Sequence, residues 1–495
     1  MILIWLLAVP LAGSILSAVA RKREQMEAVN VASFALAFVL SVVLATRVLS
    51  AGFVSLWDGF LYADALSALV VLLSSSVSLI CGIYAVGYIR QDENSGMLDG
   101  EDGTRDAAEK LRRYYALTPL LVFSMLLVAL ANNLGVMWAA IELTTLASVF
   151  LVAFYGKVTS LEAAWKYVII GGVGLSMALF GTIITYYAGH RLPGSDGLAG
   201  LNWSVLAQQA GQLHPMSMRL AFVLVLLGYG TKAGLAPMHT WKPDAYSEAP
   251  VPSAAILSTA MLNCAVYGLV RYYVLTSRCL GPEYPGRLLL LLGVLSMGIA
   301  VPFLLVQKNF RRLLAYSTID QAGIMITALG IGGKSAPLAL MLHMTFHTAA
   351  KVLLFLCAGN IYQRFGTDLF QKIKGGVIRA MPLTGVAFFM ATLAIVGMPP
   401  FGLFQSEFLM VAAAFGGGHA TAGGLFILFG AAIFAGIVLH VNRLVLGGGE
   451  GKGVANPWCN SAVLASAAIL LIVGFWLPGP LLGLIRGAAR VVTGD

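Results

Sequence analysis

Apolar runs long enough to cross a bilayer recur along the whole of this 495-residue chain. A helix of about 20 apolar residues spans the roughly 30 Å hydrocarbon core. In that medium every backbone N–H and C=O must be bonded within the segment or in a closed barrel. Barrel strands show alternating hydrophobicity, which these runs lack. Charged residues make up 11% of the chain and hydrophobic residues 59%, whereas a soluble domain is about 25% charged. The fold class expected is an all-α polytopic membrane protein.

The first run, MILIWLLAVPLAGSILSAVA, is apolar enough for a signal peptide. It lacks a basic leading region, and Arg21, Lys22 and Arg23 follow it instead, so it reads as a retained helix with its N-terminus outside. Fourteen spans are expected in all. The first seven lie near 1–19, 27–49, 65–89, 114–132, 134–155, 161–188 and 219–238. The others lie near 251–274, 286–306, 310–331, 336–362, 381–414, 422–444 and 460–485. An even count returns the C-terminus to the outer side. Most of the 31 Lys and Arg residues then fall on inner loops, among them Arg112, Arg113, Lys308, Arg311, Arg312, Lys372 and Lys374, as the positive-inside rule requires. The net charge of +9 thereby reads as topology and not as nucleic-acid binding. The acidic stretch DENSGMLDGEDGTRD reads as a solvated inner loop.

Two spans are broken in the same way. GLAP at 234–237 is followed seven residues after Pro237 by Asp244, and GMPP at 397–400, containing Pro399 and Pro400, is followed at the same offset by Glu407. Paired Gly/Pro interruptions indicate an internal repeat and its ion pathway. The expected division is a three-helix segment at 1–113, repeats of five helices at 114–276 and 277–446, and a final helix within 447–495. Five is odd, so the second repeat is inserted inverted.

A charge at mid-bilayer costs about 2.5–3.5 kcal/mol on insertion scales, so each has a reason to be there. Glu142 sits roughly 14 Å and Lys232 roughly 18 Å from the outer ends of their helices. They are open to pairing, either as a relay or as glue between helices. Lys166 lies only roughly 10 Å into its own helix, behind a Thr159/Glu162 capping box, and either snorkels to the surface or takes part. In LALMLHMTFHTAAKVLLFLCAGN, His343, His347 and Lys351 fall at i, i+4 and i+8 on one helical stripe. Such a stack suits a proton ladder. A metal pair is the alternative, although the HExxH glutamate is missing. The five cysteines are scattered without a CxxC, so no iron–sulfur or zinc site is expected. GIGGKSA lacks the first glycine of a phosphate loop, having Ala328 there.

APMHTWKPDAYSEAP, KNFRRLLAYSTIDQAG, HMTFHTAAKVLLF and GMPPFGLFQSEF together resemble the antiporter-like proton-pumping subunits of respiratory complex I and its relatives. SEAPVPSAAILSTAMLNCAVYGLVR and FQSEF look closest to the membrane component F of hydrogenase-four-type energy-converting hydrogenases. The resemblance covers nearly the whole chain. It implies fourteen helices with inverted five-helix repeats, each holding a broken helix. It also implies a Glu142–Lys232 acid–base pair with Lys166 beside it, a His343–His347–Lys351 relay and a Glu407 outlet. His239, Asp244 and Glu248 would line the cytoplasmic approach beside the break at Pro237.

Two departures from the family pattern stand out. Asn263 occupies a place where many complex I relatives carry lysine, so the link between half-channels is expected to use water. Glu407 stands where some members have lysine. The chain ends soon after the last span, as in a middle or proximal pump subunit. The function implied is a non-enzymatic, proton-translocating subunit of an energy-converting hydrogenase or complex I-like oxidoreductase in a bacterial or archaeal cytoplasmic membrane. Its partners would be other antiporter-like and small membrane subunits and a cytoplasmic redox module. That module, and not this chain, would hold the iron–sulfur clusters or nickel–iron site. The alternatives are a subunit of an Mrp-type cation/proton antiporter and a non-conducting scaffold.

Overall fold

The structure, a computed structural model, describes residues 1–98, 107–190, 200–373, 376–446 and 456–494. Lys374 and residues 99–106 of the acidic stretch lie outside the described residues. Helices α1 (Ile2–Val19), α2 (Arg23–Ala51), α3 (Ala65–Asn94), α4 (Ala107–Leu130), α5 (Leu134–Val152) and α6 (Val158–Gly189) come first. A short β-hairpin, Val54–Leu56 with Leu61–Ala63, joins α2 to α3. Next are α7 (Trp203–Gln208), α8 (Pro215–Ala233), α9 (Trp241–Glu248), α10 (Val251–Ile256) and α11 (Leu262–Leu280). Then come α12 (Glu283–Val306), α13 (Phe310–Ile331), α14 (Ser335–Phe365) and α15 (Val377–Ala380). The chain closes with α16 (Pro382–Ile395), α17 (Gly402–Gly416), α18 (Ala420–Val445), α19 (Pro457–Phe475) and α20 (Gly479–Thr493).

Among the described residues, 13 helices are long and apolar enough to cross a membrane, Val251–Leu280 counting as one. The remaining expected span, the twelfth at 381–414, is present as two shorter pieces, α16 and α17. Three spans form the axis of the bundle. The most apolar windows of Val251–Leu280, Phe310–Ile331 and Ser335–Phe365 are 100%, 100% and 94% buried. The axis is where a charged side chain can avoid lipid, and α14 carries His343, His347 and Lys351 there.

Close helix contact in a bilayer needs small residues, and α6 meets α8 through Gly174, Ala178 and Gly181. A Cβ on Gly228 would lie 2.5 Å from the Gly174 carbonyl oxygen, and one on Gly174 2.6 Å from Thr231 Cβ. This contact fixes the helix that bears Lys232. The α12–α13 contact is built the same way, from Gly286 and Gly293 against Gly330 and Gly323.

Three local expectations need correction. The last span does not run to 485: α19 stops at Phe475, and α20 starts afresh at Gly479, because Pro478 and Pro480 disfavour helical backbone before them. The Thr159/Glu162 capping box does not form. The helix starts two residues earlier than that box requires, with Lys157 and not Thr159 at its N-cap, so Thr159 is already inside the first turn. Its hydroxyl donates to Glu248 (3.0 Å), while Glu162 pairs with Lys166 (2.7 Å). The acidic stretch is also not a solvated loop from its start, since α3 continues to Asn94. Asp92 is buried, accepting hydrogen bonds from the Tyr155 hydroxyl (2.5 Å) and Gln363 Nε2 (2.8 Å).

Gly228→Leu drives a branched side chain into the α6 backbone and is expected to destabilise the chain by about 1–3 kcal/mol or more. Thermal unfolding in detergent reads this. Gly172→Leu is the control, because a Cβ there meets nothing within 4 Å, and its midpoint should not move.

Candidate functional site

A broken helix exposes backbone groups that need partners, and both breaks show where those partners come from. At the first, Gly234 adopts a left-handed φ of 74° and closes α8. The Thr231 carbonyl accepts from the Trp241 indole (3.0 Å), the Ala233 carbonyl from Lys242 Nζ, and Ala236 N–H donates to Ser296 Oγ (2.9 Å). At the second, Gly397 has φ 68°, and the Ile395 carbonyl accepts from Gln321 Nε2 (3.4 Å). The Glu407 carboxyl lies against Gly397, where a Cβ would fall 2.9 Å from its Cδ. Glycine is required at both places, for the backbone angle and for room.

Lys232 is buried one turn before the first break. Its Nζ donates to Thr145 Oγ1 (2.8 Å) and to the Tyr167 hydroxyl (2.8 Å). Thr145 lies three residues beyond Glu142 on α5, on the same face. Glu142 is half-buried, its Oε2 is without a hydrogen-bond partner, and it acts on Lys232 electrostatically. The two charges therefore act on each other electrostatically without a direct ion pair, and Lys232 is bonded instead by Thr145, one turn along α5 from Glu142. Lys166, expected beside them, is elsewhere. It is 45% exposed at the start of α6 and pairs with Glu162 (2.7 Å) and Asp244 (3.0 Å). Snorkelling to the end of the bundle is cheaper for a long side chain near the start of a helix than burial. Asp244 also holds Arg312 (2.9 Å), so it belongs to this surface network together with Glu248, which accepts from Thr159. His239 is buried in the break, its ring 6.4 Å from that of Phe303, with Nδ1 unpartnered.

The α14 stripe has the expected form. His343, His347 and Lys351 are all buried, and the two imidazoles stack with centroids 6.4 Å apart and planes 10° apart. His343 Nδ1 meets Ser406 Oγ at 3.0 Å, next to Glu407, and Lys351 Nζ donates to the Leu314 carbonyl (2.8 Å). Among the described residues, neither nitrogen of His347 has a partner, nor does His343 Nε2. Buried polar atoms are almost always satisfied, by protein or by ordered water. A run of unpartnered atoms beside a buried ammonium is therefore a place for water. Among the described residues no group of three or more His, Cys, Asp or Glu is arranged to hold a metal ion.

Three members of this constellation escape a reading of the sequence. Lys242 is 1% exposed, and the signal for it is a lysine inside the broken stretch, where it looks like part of a polar loop. Asp320 is 3% exposed, accepts from Gln321 Nε2 (3.2 Å), and is within electrostatic reach of Lys351 and Glu407. Its Ile-Asp on α13 echoes the Ile-Glu at Glu142. The third is Tyr167, visible only once α6 is placed against α8. Another buried charge has a different character. Arg271 makes a bidentate pair with Asp64 (2.7 and 2.8 Å), capped by Ser67 Oγ (2.9 Å). Fully paired in this way it is structural, whereas Lys232 and Lys351 meet only neutral oxygens.

The family described as NADH:quinone oxidoreductase/Mrp antiporter, TM, matches residues 131–435. The chain is 34% identical over 403 residues to a hydrogenase-4 component F homolog of Methylacidiphilum infernorum, covering 80% of this chain and 81% of that one. It is 31% identical over 456 residues to NADH-quinone oxidoreductase subunit L of Mycobacterium tuberculosis, covering 88% of this chain but 66% of the relative. Its fold superposes with a TM-score of 0.87, at 22% identity and over 99% of this chain and 97% of the other, on a chain of an archaeal membrane-bound sulfane sulfur reductase.

The contrast between the buried charges gives a test in opposite directions. Asp64→Asn strands the Arg271 guanidinium and is expected to cost about 3–5 kcal/mol. Lys232→Met removes a buried charge that has no direct ion pair and should leave stability unchanged or raise it. Unfolding midpoints of the two variants, measured side by side in detergent, check both signs.

Proposed function

Because the chain belongs to the NADH:quinone oxidoreductase/Mrp antiporter transmembrane family, we propose that it is a proton-translocating membrane-arm subunit of an energy-converting hydrogenase or complex I-like oxidoreductase. The observation that carries this reading is that Lys232 and Lys351, both buried, hydrogen-bond among the described residues only to neutral oxygens. A lysine held only for stability would have a carboxylate partner, as Arg271 does. A lysine that must take up and release a proton is better served by weak, neutral partners and nearby water.

The repeats are placed at 114–276 and 277–446, after a 1–113 segment, with both termini on the outer side of a bacterial or archaeal cytoplasmic membrane. Lys232 with Glu142 and Thr145 is the relay of the first repeat. Lys351, His347, His343 and Asp320 form the relay of the second, which leads to Glu407. Charge on Glu142 changes how firmly Lys232 holds its proton, and the disturbance passes along the axis as a coupling between sites. His239 stands at the break beside this path. Asp244, Lys166 and Glu248 form a charged mouth at the inner end.

The named relatives are components of multi-subunit assemblies, which supports neighbouring membrane subunits, with a redox module carrying the metal clusters on the cytoplasmic face. The second reading, a subunit of an Mrp-type antiporter, is favoured by the family's breadth and separated from the first by which subunits co-purify.

In the native complex reconstituted in vesicles, Glu142→Gln or Lys232→Ala is expected to reduce proton translocation by about tenfold or more, with electron transfer retained or slowed. Unchanged translocation in both variants contradicts the proposal.

A further inference from the structure

Between the two relays lies a third buried lysine that neither uses. Lys242 opens α9, just beyond the first break, and is 1% exposed. Its seat is made by Gly234, since any Cβ there would collide with the lysine's Cδ and Cε. Its Nζ donates to the carbonyl of Ala233, the residue after Lys232. Two aromatic rings flank it, with Nζ 6.0 Å from the Trp241 centroid and 5.8 Å from that of Tyr246.

These rings reach in opposite directions. Trp241 stacks on Tyr167 at 4.4 Å, and Tyr167 is the hydroxyl that accepts from Lys232. Tyr246 meets Phe355 edge-on at 6.2 Å, and Phe355 lies four residues from Lys351 on the same face of α14. Lys242 thus stands between the lysine of each repeat and is within electrostatic reach of Lys232, His347 and Lys351. Asn263 on α11 does not titrate and donates to Thr348 Oγ1 on α14 (2.9 Å).

Three ammonium groups gathered in a low-dielectric axis repel one another, so they do not all keep their protons at once. We propose that Lys242 is the proton carrier that joins the two half-channels. A proton leaves the Lys232 ammonium through water, adds to the free lone pair of Lys242 Nζ, and is then released toward His347 and Lys351. One N–H bond breaks as another forms at each step, and no electrons are exchanged. The path reverses with the direction of coupling.

This inference rests on the proton-translocation reading, and its test keeps the two apart. Lys242→Met, which matches the length of the stem, and Lys242→Gln are made in the native complex beside Glu142→Gln. The expected result is a translocated-proton-to-electron ratio at least about tenfold lower in both Lys242 variants. Their complexes should be intact and their unfolding midpoints close to that of the parent, because the loss of a partner for the Ala233 carbonyl is offset by removal of a buried charge that has no direct ion pair. A wild-type ratio in either intact variant overturns the role of Lys242, as does failure of both to assemble, which would make Lys242 a structural strut. If Glu142→Gln also pumps normally, the translocation reading itself fails.

Discussion

An ammonium ion in hydrocarbon needs solvation, and in this chain the broken backbone supplies it. Lys232 lies one turn before a break that frees carbonyls, and Lys242 donates to one of them. Without Gly234 and Pro237 the helix would continue, and those carbonyls would be consumed by its own N–H groups. The close contact of α6 with α8 then fixes the position of Lys232, and through Tyr167 that of the aromatic walls beyond it.

The second half solves the same problem with different residues. Its break accepts the Gln321 amide and shelters the Glu407 carboxyl instead of a lysine stem, so the residue packed on the break glycine has changed from cation to anion. Sequence offset alone pairs Asp244 with Glu407. By environment, the counterpart of Glu407 at the first break is Lys242, while Asp244 faces the end of the bundle with Lys166 and Arg312. The two repeats share the hole in the helix more faithfully than the chemistry placed in it.

Much of this is legible in the order of residues alone. The spans follow from hydropathy, because hydrocarbon permits few alternatives. The His343–His347–Lys351 stripe follows from helical spacing, which fixes neighbours within one helix. What the sequence does not show depends on contacts between helices. Lys166 sits at nearly the same offset into a helix as a buried charge would, and only the proximity of Asp244 decides that it turns outward. Tyr167 and Asp320 join the constellation through α6–α8 and α13–α14 packing; Tyr167 carries no local signal, and that of Asp320 is only the Ile-Asp pair it shares in kind with Ile141-Glu142. Lys242 is hidden because a polar residue after a proline reads as loop, whereas here the chain folds back into the core as α9.

The central claim is that these groups are connected by water in the bundle axis. A density map of the native complex, at a resolution that shows ordered solvent, tests it most directly. The account predicts water bonded to His347, His343 Nε2, Asp320 Oδ1 and Asn263 Oδ1, all without protein partners here, in a chain from Lys232 past Lys242 to Lys351. Dry packing around these atoms, or protein groups filling every one of those bonds, would contradict it.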